Sequence, residues 1–228
     1  MVSARSLTFG GAFSNHIAAT AKYGRLKGIK TIGFIRGEKP EPLNPTLKLA
    51  TENGMQLRFI SRSDYRLKNS TELLNQLQNE FPNAFIIPEG GANKLGIEGS
   101  ELILNTDSET FNYIAVAIGT GTTFAGLVNA SKPNQTILGF PIHKHDQILN
   151  DILNVDEGFS IKHHQIINGY HFGGYAKWNE ELIEFIQSIH HNHDLKLDPI
   201  YTGKALFGLI KELEKGTIKE KSKVLFIH

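Results

Sequence analysis

The sequence predicts an α/β protein built as two three-layer domains with mostly parallel sheets. Three observations carry this reading. Short apolar runs alternate with helix-periodic stretches along the whole chain, two of those runs end in glycine-bearing turns, and a Gly/Asn-containing stretch at Gly90 to Lys94 interrupts the series. Strand–helix alternation is the pattern of a parallel sheet covered on both faces.

In order, Ser6 to Phe9 reads as a strand, Ser14 to Lys27 as a helix and Thr31 to Ile35 as a strand. Asn44-Pro45 is a helix start, with Asn as N-cap and Pro at the first helical position, and Gly54 is its natural stop. Leu57 to Ile60 is a strand. Leu73, Leu74, Leu77 and Phe81 recur at helical spacing, with Asn69 and Glu72 as a capping pair, before a strand at Phe85 to Pro88. The second series runs through a helix at Ile97 to Leu104, a fully buried strand at Tyr113 to Ile118 and a helix at Phe124 to Ala130. A strand at Ile137 to Ile142 and a helix at Gln147 to Leu153 follow. Trp178, Leu182, Ile186 and Ile189 form one apolar helix face, and Leu206, Leu209, Ile210 and Leu213 another, ahead of a last strand at Val224 to Ile227. The expected domains are residues 1–90, the smaller, and 91–228, the larger and incomplete.

Composition narrows the function classes. The chain has 228 residues, 40% of them hydrophobic, enough for a sizeable core. With 24 Lys+Arg against 23 Asp+Glu, nothing in the charge balance points to a nucleic-acid or membrane partner. There is no cysteine, which removes disulfides, thiolate metal sites and a cysteine nucleophile. No signal-peptide layout opens the sequence and no apolar run is long enough to span a bilayer, so a cytoplasmic protein is expected.

Two loops carry chemistry. Gly10-Gly11-Ala12-Phe13-Ser14-Asn15-His16 places two glycines after a strand, and a hydroxyl and an amide at a helix N-terminus, where the helix dipole favours an anion. A plain strand–turn–helix with Ser14 as N-cap explains the same residues equally well. Ala117-Ile118-Gly119-Thr120-Gly121-Thr122-Thr123 repeats the geometry, offering amides and hydroxyls to a phosphate. It is not a nucleotide P-loop, because no Gly-Lys-Ser/Thr follows. Nor is it a dinucleotide fingerprint, because Gly126 falls outside the required spacing and no acidic residue stands at a suitable distance; a nicotinamide-dependent enzyme is disfavoured on that ground.

Taken together with Pro88-Glu89-Gly90-Gly91-Ala92-Asn93 and Asp198-Pro199-Ile200-Tyr201-Thr202-Gly203-Lys204, these loops stand in the order found in the 1-aminocyclopropane-1-carboxylate deaminase and D-cysteine desulfhydrase family. The chain resembles that family, of the tryptophan-synthase-β-like class of pyridoxal phosphate enzymes, over essentially its whole length. The resemblance implies pyridoxal 5′-phosphate in a cleft between the two domains, a small amino acid as substrate and a homodimer. It implies that Asn15 meets the phenolic oxygen of the cofactor, and that Ser14 holds the substrate carboxylate or assists proton transfer. Gly119, Thr120, Gly121, Thr122 and Thr123 would bind the cofactor phosphate. Tyr201 would face the substrate, with Tyr175, in Gly173-Gly174-Tyr175-Ala176-Lys177-Trp178-Asn179, as a second active-site tyrosine. For either tyrosine a half-buried phenol with a structural hydrogen bond is the plainer alternative. His16, next to the Ser-Asn pair, is a candidate substrate contact, with packing as its alternative.

The resemblance also implies a cofactor-bearing lysine in a Gly-Asn-Lys motif upstream of the Ser-Asn loop, and a Thr-Gly-Gly or similar loop after the final strand that meets the pyridine nitrogen. Neither is found in these residues, so the expectation is a chain truncated at both ends. Pyridoxal chemistry needs both anchors. Lys22 is near in sequence but reads as a surface lysine. Two function readings follow: a deaminase or desulfhydrase acting on 1-aminocyclopropane-1-carboxylate or D-cysteine, or a non-catalytic remnant that keeps the fold without turnover. No metal site is expected. His190, His191 and His193 with Asp194 lie at a helix end that cationic side chains favour, and the pairs His143 with His145 and His163 with His164 lack a carboxylate pattern.

Overall fold

The structure, a computed structural model, describes residues 4–144, 147–156, 159 and 164–228. His145 and His163 lie outside the described residues. The chain divides into two compact units, Met1–Ala92 and Asn93–His228.

The first unit runs β1 (Arg5–Gly10), α1 (Asn15–Lys27), β2 (Lys30–Arg36), α2 (Pro45–Glu52), β3 (Gln56–Ile60), α3 (Arg62–Arg66), α4 (Thr71–Glu80) and β4 (Ala84–Ile87). All its strand pairs are parallel, in the order β3-β2-β1-β4. Side chains alternate across a strand, so the apolar runs feed two cores. Leu7, Phe9, Ile32 and Phe34 pack with Tyr65 of α3 and Leu77 of α4 on one face. Ile35 packs with Ile17 and Ala21 of α1 and Leu47 and Ala50 of α2 on the other. The expected three layers are present.

The second unit runs α5 (Lys94–Glu101), β5 (Tyr113–Ile118), α6 (Thr122–Ala130), β6 (Thr136–Pro141), α7 (Ile148–Val155), β7 (His164–Ile166), α8 (Glu180–His193), α9 (Thr202–Glu214) and β8 (Val224–Phe226). Its sheet is again parallel, in the order β7-β6-β5-β8. Ile114, Val116, Ile118 and Ile137 pack under Ile97, Phe124, Leu127, Ile148 and Ile152 of α5, α6 and α7. Ala115, Leu138 and Phe140 meet Ala205 and Leu209 of α9 on the opposite face.

Both sheets share one topological feature that decides where a ligand can sit. The chain winds from the central strand outward through two more, then jumps back to the other side: β4 joins β1, and β8 joins β5. The strand order therefore switches beside β1 and beside β5. At such a point the loops leave the strand ends in opposite directions and open a crevice at the carboxyl ends. The loops following β1 and β5 are Gly10 to Asn15 and Gly119 to Thr123.

Several elements differ from the sequence reading, for physical reasons. The cap of α4 is Ser70 rather than Asn69: its hydroxyl accepts from the Leu73 amide at 3.2 Å. Trp178 is not on the apolar face of α8; it precedes the helix, is 48% exposed, and Asn179 caps the helix by accepting from Leu182 N–H. α5 starts at Lys94 under an Asn93 cap and stops at Glu101, leaving Leu102 83% exposed. α9 turns Thr202, Lys204, Ala205, Gly208 and Glu212 inward, so Leu213 is left exposed at its far end. β7 and the five-residue α3 were not foreseen; the sequence His-Gln-Ile of β7 has little strand signal, and pairing with β6 defines it.

Gly126 sets how closely α5 approaches α6. A Cβ there would lie 2.5 Å from Ser100 Cβ and 2.6 Å from the Ile97 carbonyl oxygen, and a carbonyl in a helix cannot swing aside. Gly126→Ala is expected to destabilise the chain by about 1–3 kcal/mol through overpacking, after offsetting alanine's roughly 1 kcal/mol better helix propensity. A lower midpoint of urea unfolding at unchanged slope would show it; an unchanged midpoint would mean that the two helices do not touch there.

Candidate active site

The first loop is shaped by the lack of a side chain at Gly10. A Cβ there would sit 2.5 Å from Ile17 Cγ1 and 2.9 Å from Ser14 Oγ, so α1 begins directly against the end of β1. Ser14 is the N-cap: its amide donates to the Gly11 carbonyl at 3.1 Å and its hydroxyl oxygen accepts from the Ile17 amide at 3.3 Å. That leaves the hydroxyl proton of Ser14 for another acceptor. Asn15 is exposed in the first turn of α1. In contrast, the amides of Asn44, Asn93 and Asn179 are occupied as caps.

His16 points back to the sheet. Its Nε2 lies 2.6 Å from Thr8 Oγ1, and the same hydroxyl donates to the Ile87 carbonyl at 3.0 Å. A hydroxyl has one proton, so with that proton on Ile87 the imidazole must be the donor at Nε2. Burial holds the His16 pKa below its usual value, against a smaller opposing pull from Glu89. His16 thus ties the Ser-Asn loop to β1 and β4 as a neutral ring. Thr8, fully buried in mid-strand, escaped the sequence reading because an isolated Thr in an apolar run carries no signal of its partner. The loop after β4 follows as a short 3-10 turn in which Gly90 and Gly91 take φ of 65° and 68°. Glu89 pairs with Lys68 at 3.3 Å, and Asn93 caps α5 rather than facing a ligand.

In the second unit, β5 leads into Gly119 to Thr123. Gly121 has φ 90° and is the N-cap of α6, yet no side chain caps that helix. The helices α1, α2, α4, α5 and α8 each have a Ser or Asn oxygen on their first amides, and α9 has the Asp198 carboxylate on the amides of Ile200, Tyr201 and Thr202 at 2.9, 2.7 and 3.2 Å. The first-turn donors of α6 lack such an oxygen, which leaves them for an anion. Thr120 and Thr122 add hydroxyls 3.0 Å apart, Thr122 buried and Thr120 exposed, with Thr123 half-buried. A Cβ at Gly121 would meet Ile152 at 2.9 Å, so a side chain would also close this turn. These donors, in number and kind, fit a phosphate.

The two candidate tyrosines come together in this unit. Tyr201, at the start of α9, lies against the loop: a Cβ on Gly119 would be 3.4 Å from its ring. Tyr175 meets Tyr201 edge-on, with ring centroids 6.2 Å apart and planes at 74°. Asp198, whose carboxylate also takes the Thr202 hydroxyl at 2.8 Å, fixes the turn that presents Tyr201. Its Asp-Pro-x-x-Thr spacing is the local sequence signal of this cap. The His190, His191 and His193 cluster ends α8, with His190 Nδ1 3.8 Å from Asp194. Among the described residues no group of three or more His, Asp or Glu is arranged to hold a metal ion, and no helix is long and apolar enough to cross a membrane.

The family model described as "Pyridoxal-phosphate dependent enzyme" matches residues 4–228. A protein of Pyrococcus horikoshii, named "Putative 1-aminocyclopropane-1-carboxylate deaminase", is 30% identical over 238 residues, covering 97% of this chain and 72% of that protein. A mitochondrial bifunctional D-cysteine desulfhydrase/1-aminocyclopropane-1-carboxylate deaminase of Arabidopsis thaliana is 29% identical, covering 97% of this chain and 62% of its own length. A solved structure of an ACC deaminase homologue superposes with a TM-score of 0.78 at 26% identity, over 100% of this chain and 74% of the other. With a parallel α/β fold and a family match along nearly its whole length, the chain belongs to the pyridoxal-phosphate-dependent enzyme family.

Proposed function

We propose that this chain serves a pyridoxal-phosphate-dependent deaminase or desulfhydrase acting on a small amino acid, 1-aminocyclopropane-1-carboxylate or D-cysteine. The observation that carries the reading is the N-terminus of α6, where glycines and threonine hydroxyls replace the usual side-chain cap beside the paired rings of Tyr175 and Tyr201. The names of the similar proteins from Pyrococcus horikoshii and Arabidopsis thaliana supply the substrate class.

The bound cofactor supplies an electron sink for negative charge on the substrate carbon beside the amino group. The chain's own residues do the rest. Amides and hydroxyls of Gly119 to Thr123 hold the phosphate, assisted by the positive end of α6. Asn15 offers its uncommitted amide to the phenolic oxygen of the ring. Ser14, with its oxygen already accepting from Ile17, offers its proton to the substrate carboxylate. The neutral ring of His16, anchored at Nε2, presents its other edge towards the substrate. Tyr175 and Tyr201, packed ring against ring, supply two phenols for handling a proton at the substrate. The family's cofactor-bearing lysine matches no motif position here. Lys22 is exposed on α1, and the buried Lys204 has its ammonium occupied by three carbonyls.

Three outcomes are expected. Supplied with pyridoxal phosphate, the chain binds it reversibly, and borohydride reduction followed by peptide mapping finds no lysine of this chain joined to it; a stoichiometric reduced adduct would overturn the account of the lysines. Asn15→Asp weakens cofactor binding about tenfold, by setting a carboxylate against an oxygen anion, and leaves stability within about 0.5 kcal/mol because the residue is exposed; Ser14→Ala instead costs about 1 kcal/mol of stability as a lost cap. In the holoenzyme, ammonia is released from at least one of the two amino acids. Release from neither, with cofactor bound, would favour a fold retained without turnover.

A further inference from the structure

The segment that carries Tyr175 is conformationally costly. Phe172 and Ala176 have φ of 52° and 54°, in the left-handed region that side chains disfavour, and Gly173 and Gly174 take φ of 91° and 122°. Such a run persists only where neighbouring groups hold it in place. Its backbone supplies some of the restraint: the Gly174 amide donates to the His171 carbonyl at 3.0 Å, and the Lys177 amide donates to the Gly174 carbonyl at 3.2 Å.

The rest comes from α9. Lys204 is 1% exposed, and its ammonium donates to the carbonyls of Gly174 at 2.7 Å, His171 at 2.9 Å and Ile142 at 3.3 Å. An ammonium has three protons, and all three are used. Two go to the strained segment and one to the residue after β6, so one charge ties two chain segments to the helix that follows Tyr201. We propose that Lys204 is a positioning residue, whose ammonium clamps the Tyr175 segment onto α9 so that the rings of Tyr175 and Tyr201 meet in one arrangement.

A buried ammonium is expensive, and an apolar residue would fill the space at less cost. Retaining it makes physical sense where the three carbonyls need a donor that no apolar side chain provides. Burial pulls the Lys204 pKa down to about 8, with Asp198, in the turn before α9, acting in the opposite sense. His143, Tyr170, His171 and Tyr175 are the titratable side chains on or next to the three carbonyl-bearing residues, and Lys177 follows the segment. Once deprotonated, the amine has two N–H groups for three carbonyls, so the clamp weakens as pH rises through that value.

The proposal rests on the tyrosine roles given above, but its test does not need turnover. The chain has one tryptophan, Trp178, three residues beyond Tyr175 and 48% exposed, which makes its fluorescence a local probe of the segment. Acrylamide quenching of Trp178 in the native chain is expected to rise about two- to three-fold between about pH 7 and about pH 9.5, with a midpoint near the Lys204 pKa. Lys204→Met is expected to show the high value at both pH values, and Lys204→Arg, charged throughout, the low value at both. Should neither variant fold, protection of the Gly174 and Lys177 amides against hydrogen exchange in the unaltered chain must fall across the same pH range. A flat profile in the native chain, or Lys204→Met quenched like the native chain at both pH values, overturns the proposal. Cofactor binding measured alongside separates this failure from that of the functional reading, since the clamp can be absent while the phosphate loop still binds.

Discussion

In each unit the decisive constraint is that no side chain stands where the central strand turns into its helix. A Cβ on Gly10 would collide with Ile17 and Ser14, and one on Gly121 with Ile152. Because those atoms are missing, α1 and α6 start hard against the ends of β1 and β5, and their first amides face the crevice that the strand order opens there. The apolar interiors of both sheets serve this arrangement. They fix the two turns from below, through Ile17 under the first and Ile148 and Ile152 beside the second. Filling either turn would displace a helix, and with it every donor that the helix presents.

The two turns differ in how much of their capacity is already used. In the first, Ser14 caps its own helix, and His16 is bound to Thr8, so the uncommitted groups are the Asn15 amide and single edges of Ser14 and His16. In the second, the helix end is left without a side-chain oxygen, and threonine hydroxyls surround it. The first loop thus contributes to folding and to recognition together, while the second gives up capping energy of about 1 kcal/mol that a bound anion can restore.

Both turns and the parallel α/β order were legible in the sequence, because a buried strand, a glycine pair and a helix start leave signals within a dozen residues. What was hidden depends on partners far along the chain. Nothing local marks Lys204 as buried, because its three carbonyls lie 62, 33 and 30 residues away. Periodicity alone cannot turn a lysine inward, so the reading of α9 placed Leu213 on the buried face, where Lys204 and Glu212 in fact lie. Trp178 was drawn onto α8 by spacing, though Asn179 behind it is the stronger local signal, a cap that starts the helix after the tryptophan. Thr8 was passed over for the same reason as Lys204: its partners, His16 and Ile87, come from a helix and from another strand. His145 and His163 lie outside the described residues.

The central claim is that the open helix end after β5 holds the phosphate of pyridoxal phosphate. Amide resonances followed during titration with the cofactor test it most directly. The account expects the backbone amides of Gly119 to Thr123 to shift along one saturation curve, with pyridoxal lacking its phosphate failing to move them. No shift of these amides on saturation, or an equal effect from the phosphate-free compound, would contradict it.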